Sequence, residues 1–264
     1  MLLQNKNAVI YGAGGSLGGA VAKALAAAGA RVFLTGHHLD VVQIVADEII
    51  ASGHKAGADV VDALDKNAVE THLARVIQTA GSIDISFNAI GLNPVQNIPL
   101  IEMDAEDFVR PVSIAMRSHF LTATAAGRAM VKQRSGLILL LTATPGGIGY
   151  PYTAGFAPAC SAMETLSRNL AAELGIHSVR VVNIRSAGSP DSKVFKDAIA
   201  ANPEAMKHIL HGMEHDTMLK KLPLMADIAN VAVFLASDMA GMITGVTVDV
   251  TCGTTAGLNY RVMR

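Results

Sequence analysis

Tyr11-Gly12-Ala13-Gly14-Gly15-Ser16-Leu17-Gly18-Gly19 is the stretch that decides the fold. It follows a short apolar run, Ala8–Tyr11, and opens an alanine-rich segment of helical character, Ser16–Gly29. Glycine adopts positive φ without a Cβ clash, so the backbone can come close to a ligand. The first amides of a helix have no intrahelical partner and carry the positive end of its dipole. A glycine-dense turn between a strand and a helix therefore builds an anion site, and its usual occupant is the pyrophosphate of a dinucleotide. Glycine spacing alone is a weak signal; the flanking strand and helix make it a strong one. An ordinary tight turn is the other reading of the same residues.

Working outward, short β-branched runs alternate with longer helical patterns. The expected strands are Ala8–Tyr11, Arg31–Thr35, Lys55–Val60, Ile83–Phe87, Leu137–Thr142, Val179–Ile184 and Gly245–Val250. Several are nearly continuous apolar runs, as parallel strands buried on both faces should be. The expected helices are Ser16–Gly29, Leu39–Ser52, Lys66–Ala80, Ala105–Gln133, Thr153–Leu174 and Asp227–Ala236. This alternation predicts an α/β fold: a Rossmann-like doubly wound parallel sheet in three layers, forming one domain over residues 1–264. Pro111 should kink or break the fourth helix. Residues 189–225 depart from the alternation, carry Met206, Met213, Met218 and Met225, and read as a helical lid over the carboxyl ends of the strands.

Composition excludes several classes. Hydrophobic residues are 51% and charged residues 16% of 264, too apolar for disorder. No apolar run reaches the ~18 residues of a membrane span. A formal net charge of −1 gives no reason to expect nucleic acid or an anionic membrane surface. Two cysteines, Cys160 and Cys252, and no signal-like start fit a reduced, cytoplasmic setting. His208, His211 and His215 share one helical face, but without a carboxylate or cysteine partner they read as a solvated surface rather than a metal site.

From the glycine turn to the C-terminal segment the chain resembles the short-chain dehydrogenase/reductase family. The resemblance rests on Gly12 and Gly18, with Tyr11 and Ser16 in place of a Thr and the middle Gly. It also rests on Asp59-Val60 after the third strand, Asn88-Ala89-Ile90-Gly91 after the fourth, and Phe234–Asp238 with Ile243-Thr244-Gly245 near the end. It implies about seven parallel strands, a nicotinamide cofactor and assembly as a homotetramer or homodimer. It assigns cofactor binding to Gly12, Gly14, Gly15, Ser16, Leu17, Gly18, Asp59, Val60, Asn88, Ala89, Ile90 and Gly91, with Asp59 against the adenine. The second strand ends at Gly36, followed by His37 and His38. No carboxylate stands there to hold a ribose 2′-OH, and the histidines can donate to a 2′-phosphate, so NADP(H) is favoured over NAD(H).

The chemistry departs from that family. Its Tyr, Lys, Ser and Asn positions fall here at Phe156, Cys160, Ala143 and Ala115. Phe156 has no proton to transfer and Cys160 no ammonium group. Substitute groups are Tyr152, one helical turn before Phe156 if that segment is helical, and Thr142 and Thr144 beside Ala143. Tyr150 is less well placed; His119 and Cys160 are further titratable neighbours. Two readings stand side by side. One is an oxidoreductase moving a hydride between NADP(H) and a carbonyl or alcohol with a non-standard proton donor. The other is a catalytically inactive nucleotide-binding regulatory or partner protein.

Overall fold

In the computed structural model, which describes residues 1–257, seven strands form one parallel sheet. They are β1 (Asn7–Tyr11), β2 (Arg31–Gly36), β3 (Ala56–Val60), β4 (Ile85–Asn88), β5 (Gly136–Ala143), β6 (Val179–Ser186) and β7 (Thr247–Val250). Their spatial order is β3-β2-β1-β4-β5-β6-β7. The single domain expected over 1–264 is thus described to residue 257; residues 258–264 lie outside the described part.

Parallel neighbours need a crossover between them. Helices α1 (Ser16–Ala27), α2 (Leu39–Ala51), α3 (Lys66–Ala80), α4 (Ala105–Gln133), α5 (Phe156–Leu174) and α8 (Met225–Ala236) fill that role. Side chains of a strand alternate between faces, and β1 shows the consequence. Ala8 and Ile10 join a core with α1, α2 and α8, while Val9 and Tyr11 join a second core with α3, α4 and α5. The result is three layers with both sheet faces buried. Asp65 starts α3 by accepting from the Asn67 amide at 2.8 Å, and Asp104 starts α4 by accepting from Glu106 at 2.8 Å.

Two sequence expectations need correction. Of the kink or break expected at Pro111, the break does not occur: α4 runs unbroken from Ala105 to Gln133. The proline sits in the second turn, and its ring is buried against Gly155, so the lost amide bond is offset by packing. The fifth helix begins at Phe156 rather than Thr153, because Tyr152 and Ala154 have φ of 61° and 52°, outside any right-handed helix. The lid segment forms two helices, α6 (Lys193–Ala201) and α7 (Pro203–Asp216).

Gly155 is the contact that seats α5 on α4. A Cβ there would collide with the Phe108 carbonyl and lie 2.9 Å from the Pro111 ring. Gly155→Ala is expected to lower unfolding free energy by about 1–3 kcal/mol in urea titrations, the cost of overpacking a rigid contact; an unchanged midpoint would show that the two helices move apart freely.

Candidate functional site

The strand order reverses at β1, with β2 and β3 on one side and β4 to β7 on the other. Crevices at such a switch point lie beyond the carboxyl ends of the strands and are where doubly wound sheets take ligands. The turn after β1 is held there from both sides. The amides of Gly12 and Ala13 both donate to the Thr35 carbonyl at 3.0 Å, and Gly12 has φ of 77°. A Cβ on Gly12 would lie 2.7 Å from the Ala89 carbonyl oxygen, so the turn also packs tightly on the loop after β4. No side chain caps α1 at Gly15. Its leading amides, at Ser16, Leu17 and Gly18, are left for a ligand, and the turn fits a pyrophosphate. Ser16 has a further partner: its Oγ accepts from the Lys193 amide at the start of α6, at 2.9 Å.

At the far end of β2, His37 and His38 are both exposed. The His37 Nε2 lies 3.2 Å from Asp62 Oδ1, so a carboxylate already faces the imidazole expected to meet a 2′-phosphate. Asp59, expected on the adenine, turns one oxygen to Arg75 at 3.2 Å and the other towards His72 at 3.4 Å, both on α3. Burial lowers the His72 pKa, with Asp59 pulling the other way. Val60 is exposed beside it. Asn88 shapes its own loop: its side chain donates to Thr122 at 3.0 Å and accepts from the Ile90 amide at 3.0 Å.

Two hollows adjoin at Ala143 and Phe156. The inner one, about 200 Å³, is bounded by Asn88–Leu92, His119, Thr142, Cys160 and Ser186 among others. The outer one, about 620 Å³, takes in Gln96, Thr144, Tyr150, and Met213 and Leu222 of the lid segment. Ala143, Phe156 and Cys160 thus meet at the inner hollow, while Ala115 is buried within α4.

A model of the family described as enoyl-(acyl carrier protein) reductase matches residues 12–255. The chain belongs to the short-chain dehydrogenase/reductase family. It is 28% identical to an L-rhamnose 1-dehydrogenase (NAD(P)(+)) of Sphingomonas sp. (strain SKA58), over 92% of this chain and 94% of that one. It is 29% identical to a 3-oxoacyl-(acyl-carrier-protein) reductase of Pseudomonas aeruginosa, over 96% and 98%. The crystal structure of levodione reductase superposes with a TM-score of 0.88 at 26% identity, covering 96% of this chain and 99% of that one.

Within this short-chain reductase scaffold the substitute hydroxyls are not equivalent. Tyr152 is 55% exposed in the loop before α5 and is not among the residues bounding either hollow; Tyr150 bounds the outer one. The expectation favoured Tyr152 on the premise of a helix that begins four residues too late for it. Thr142 is already engaged, donating to Glu164 Oε1 at 3.0 Å and accepting from Asn183 Nδ2 at 2.7 Å. Thr144 donates to the Ser186 carbonyl at 3.3 Å. Burial pushes the Cys160 thiol up to about 11, so it stays protonated and is no nucleophile at neutral pH. Burial also holds His119 down at about 4, a neutral imidazole rather than an acid titrating near neutrality.

Sequence reasoning missed the charged group behind this wall. Arg185 on β6 grips Glu164 of α5 through Nε at 2.9 Å and Nη2 at 2.7 Å, and reaches Asp249 of β7 through Nη1 at 2.8 Å. Asp249 also accepts from Thr251 and Thr255. Little in the sequence singled it out, since the strand segment it closes, Val179–Ile184, already carries Arg180 and Asn183. His208, His211 and His215 are exposed on α7. Among the described residues there is no group of three or more His, Cys, Asp or Glu side chains arranged to hold a metal, and no helix long and apolar enough to cross a membrane.

Arg185→Met would leave the Glu164 carboxylate buried without its counter-charge. The expected loss is about 3–5 kcal/mol in urea unfolding, with much of it recovered when Glu164→Leu is added. His119 generates a pH dependence. Its folded pKa of about 4 lies below the ordinary 6.5, so the unfolded chain takes up the proton first as pH falls. Its contribution is complete above pH ~6.5 and is lost on the way down to pH ~4, roughly 3 kcal/mol in all. Unfolding titrations across that window should show a shallower slope for His119→Phe, with the slope due to His72 retained.

Proposed function

We propose that the chain is a nicotinamide-dependent oxidoreductase that moves a hydride between NADP(H) and a small carbonyl or alcohol substrate, with a proton donor other than the family's tyrosine. One observation carries this reading. The loop Asn88–Gly91 both packs on the Gly12 turn and bounds the inner hollow, so a ligand anchored at α1 has a continuous path to Ala143 and Phe156.

The bound dinucleotide supplies the hydride. The chain's own part is to bind, orient and shield. Gly12, Gly14, Gly15, Ser16, Leu17 and Gly18 would hold the pyrophosphate, and Asn88, Ala89, Ile90 and Gly91 would line the path beyond it. Asp59 and Val60 would flank the adenine, with Asp59 steadied by Arg75. Met213 and Leu222 of the lid, which bound the outer hollow, would shield a bound substrate from water. Thr144 and Tyr150 bound the outer hollow together with Ala143 and Phe156, and their hydroxyls are the proton-handling groups we assign, ahead of Tyr152 and Thr142.

The preference for NADP(H) rests on the end of β2, which has Gly36 where a carboxylate would hold a ribose 2′-OH, with His38 exposed beside it. Asp62 acts against that preference by facing His37. A second reading, a nucleotide-binding protein without turnover, is favoured by one feature: the inner hollow has an alanine, a phenylalanine and a buried thiol where the family's reacting groups would stand. Assembly as a homodimer or homotetramer through α4 and α5 fits Phe120, 52% exposed on α4, and the cysteine usage fits a cytoplasmic setting.

Calorimetric titration of the purified protein should give tighter binding of NADPH than of NADH, and Asp62→Asn should widen the ratio several-fold by removing a charge near the 2′-phosphate. With a ketone substrate in hand, Tyr150→Phe should lower turnover by about 10²–10⁴ if it is the general acid. NADPH binding with no turnover on any carbonyl would establish the second reading, and no binding of either dinucleotide would end both.

A further inference from the structure

The outer hollow, about 620 Å³, is bounded by the loop after β5 and by the lid segment. Its volume is in the range that takes a drug-sized organic molecule. Pro145, Ile148, Tyr150, Phe156, Met213 and Leu222 give it a hydrocarbon lining. Met213 is seated there by packing: a Cβ on Gly188, which also bounds the hollow, would lie 2.7 Å from Met213 Cε and 2.7 Å from Phe195 Cζ. The polar groups on offer are fewer than the residue names suggest. Thr144, Thr153 and Thr254 already give their hydroxyl protons to backbone carbonyls, at 3.3, 3.0 and 2.8 Å. Among the described residues that bound the hollow none carries a positive charge, and the carboxylate of Asp216, at the end of α7, is the one charge there. Arg185, which packs against Gly147 of the same loop, is committed to Glu164 and Asp249.

We infer that the outer hollow selects a bulky, neutral, hydrocarbon-rich ketone or the corresponding secondary alcohol, and that Asp216 turns anions away. The inference rests on the oxidoreductase reading above and gives that reaction its substrate class. A polyol carries a hydroxyl on nearly every carbon. Burying it here would strip those hydroxyls of water and leave most of them unpaired, because Tyr150, Gln96 and Asp216 are the polar side chains with groups still to offer. Each unpaired hydroxyl opposes binding. A carboxylate or phosphate, including the phosphate of a carrier thioester, meets no cation and one like charge. A hydrocarbon body gives up only water on entry, which is favourable in proportion to the apolar area covered. A single carbonyl requires a single donor, and Tyr150 supplies it from the same lining as Phe156. Asp216 is exposed, so its effect is a ratio between ligands and not an absolute block.

The test compares three ketones on the full chain with its dinucleotide bound: tert-butylcyclohexanone, oxocyclohexanecarboxylate and the polyhydroxy ketone erythrulose. In ligand-observed NMR titrations the neutral ketone should bind about 10-fold tighter than the carboxylate, and erythrulose should show no saturation transfer. Asp216→Asn should narrow the ratio of the first two about 3- to 10-fold, the effect of one charge at the rim. Met213→Ser should weaken tert-butylcyclohexanone about 3- to 10-fold. Met213→Leu, similar in volume, should hold it within about 2-fold, which separates lost apolar contact from a disturbed lid. Equal binding of the neutral and anionic ketones, a ratio unmoved by Asp216→Asn, tighter binding of erythrulose, or binding of none of the three would each overturn the inference. NADPH and NADH titrated alone report on the oxidoreductase reading. Dinucleotide binding with the wrong ranking of ketones sinks this inference only; no dinucleotide binding sinks both.

Discussion

Everything at the functional end of this molecule depends on the Thr35 carbonyl taking two amides, those of Gly12 and Ala13. That bifurcated grip bends the chain sharply as it leaves β1 and points the start of α1 back across the sheet edge. The bend leaves no volume at residue 12, where a side chain would meet the Ala89 backbone. The glycine is thus demanded by sterics before any ligand is considered. The same constraint brings the loop after β4 against the turn, and so joins the anion site to the inner hollow. One backbone contact sets both the geometry of the turn into α1 and its close approach to the loop after β4.

Beside the inner hollow, apolar and charged groups are segregated. Ala143, Phe156 and Cys160 give the inner hollow an apolar wall. Charge is concentrated behind it in Glu164, Arg185 and Asp249, which tie α5, β6 and β7 together. A buried ion pair contributes little net stability over an apolar substitute of the same shape, but strongly penalises loss of one partner. Its effect here is to hold α5 in one orientation relative to the sheet. Thr142 joins the same group through Glu164 and Asn183, which is why a hydroxyl that looks free in the sequence is committed in the structure.

The sheet and its helices were legible because burial on both faces writes long apolar strands, and crossovers write helical periods between them. The turn was legible because glycine, strand and helix fall in one order. The start of α5 was not. Residues Thr153–Gly155 offer only a glycine as punctuation, and the positive φ of Tyr152 and Ala154, which sequence does not announce, delays the helix to Phe156. The premise for Tyr152, a helical turn running into Phe156, fails for that reason. Asp62 and Arg75 were also unreadable as neighbours of His37 and Asp59, since sequence separation says nothing about which charges a parallel sheet brings side by side.

Ser16 shows how a departure from a motif can carry its own logic. Where the family pattern has a glycine, this hydroxyl accepts the Lys193 amide that begins α6. A glycine there has no atom to offer. At the other end of the lid, the Asp191 carboxylate accepts the Met225 amide at 3.1 Å, drawing the two ends of the segment together. The lid is therefore fastened at its base by Asp191 and to the phosphate turn by Ser16. The segment is also held where the Leu219 amide donates to the Cys252 carbonyl at 3.2 Å, whereas the Ser16 contact is one exposed hydrogen bond, of the kind worth about 0.5–1.5 kcal/mol. That is small enough to yield to thermal motion, and it sits directly beside the amides where a pyrophosphate would arrive. The hydroxyl that departs from the motif thus joins residues 189–225 to the first turn of α1, at the carboxyl end of the sheet.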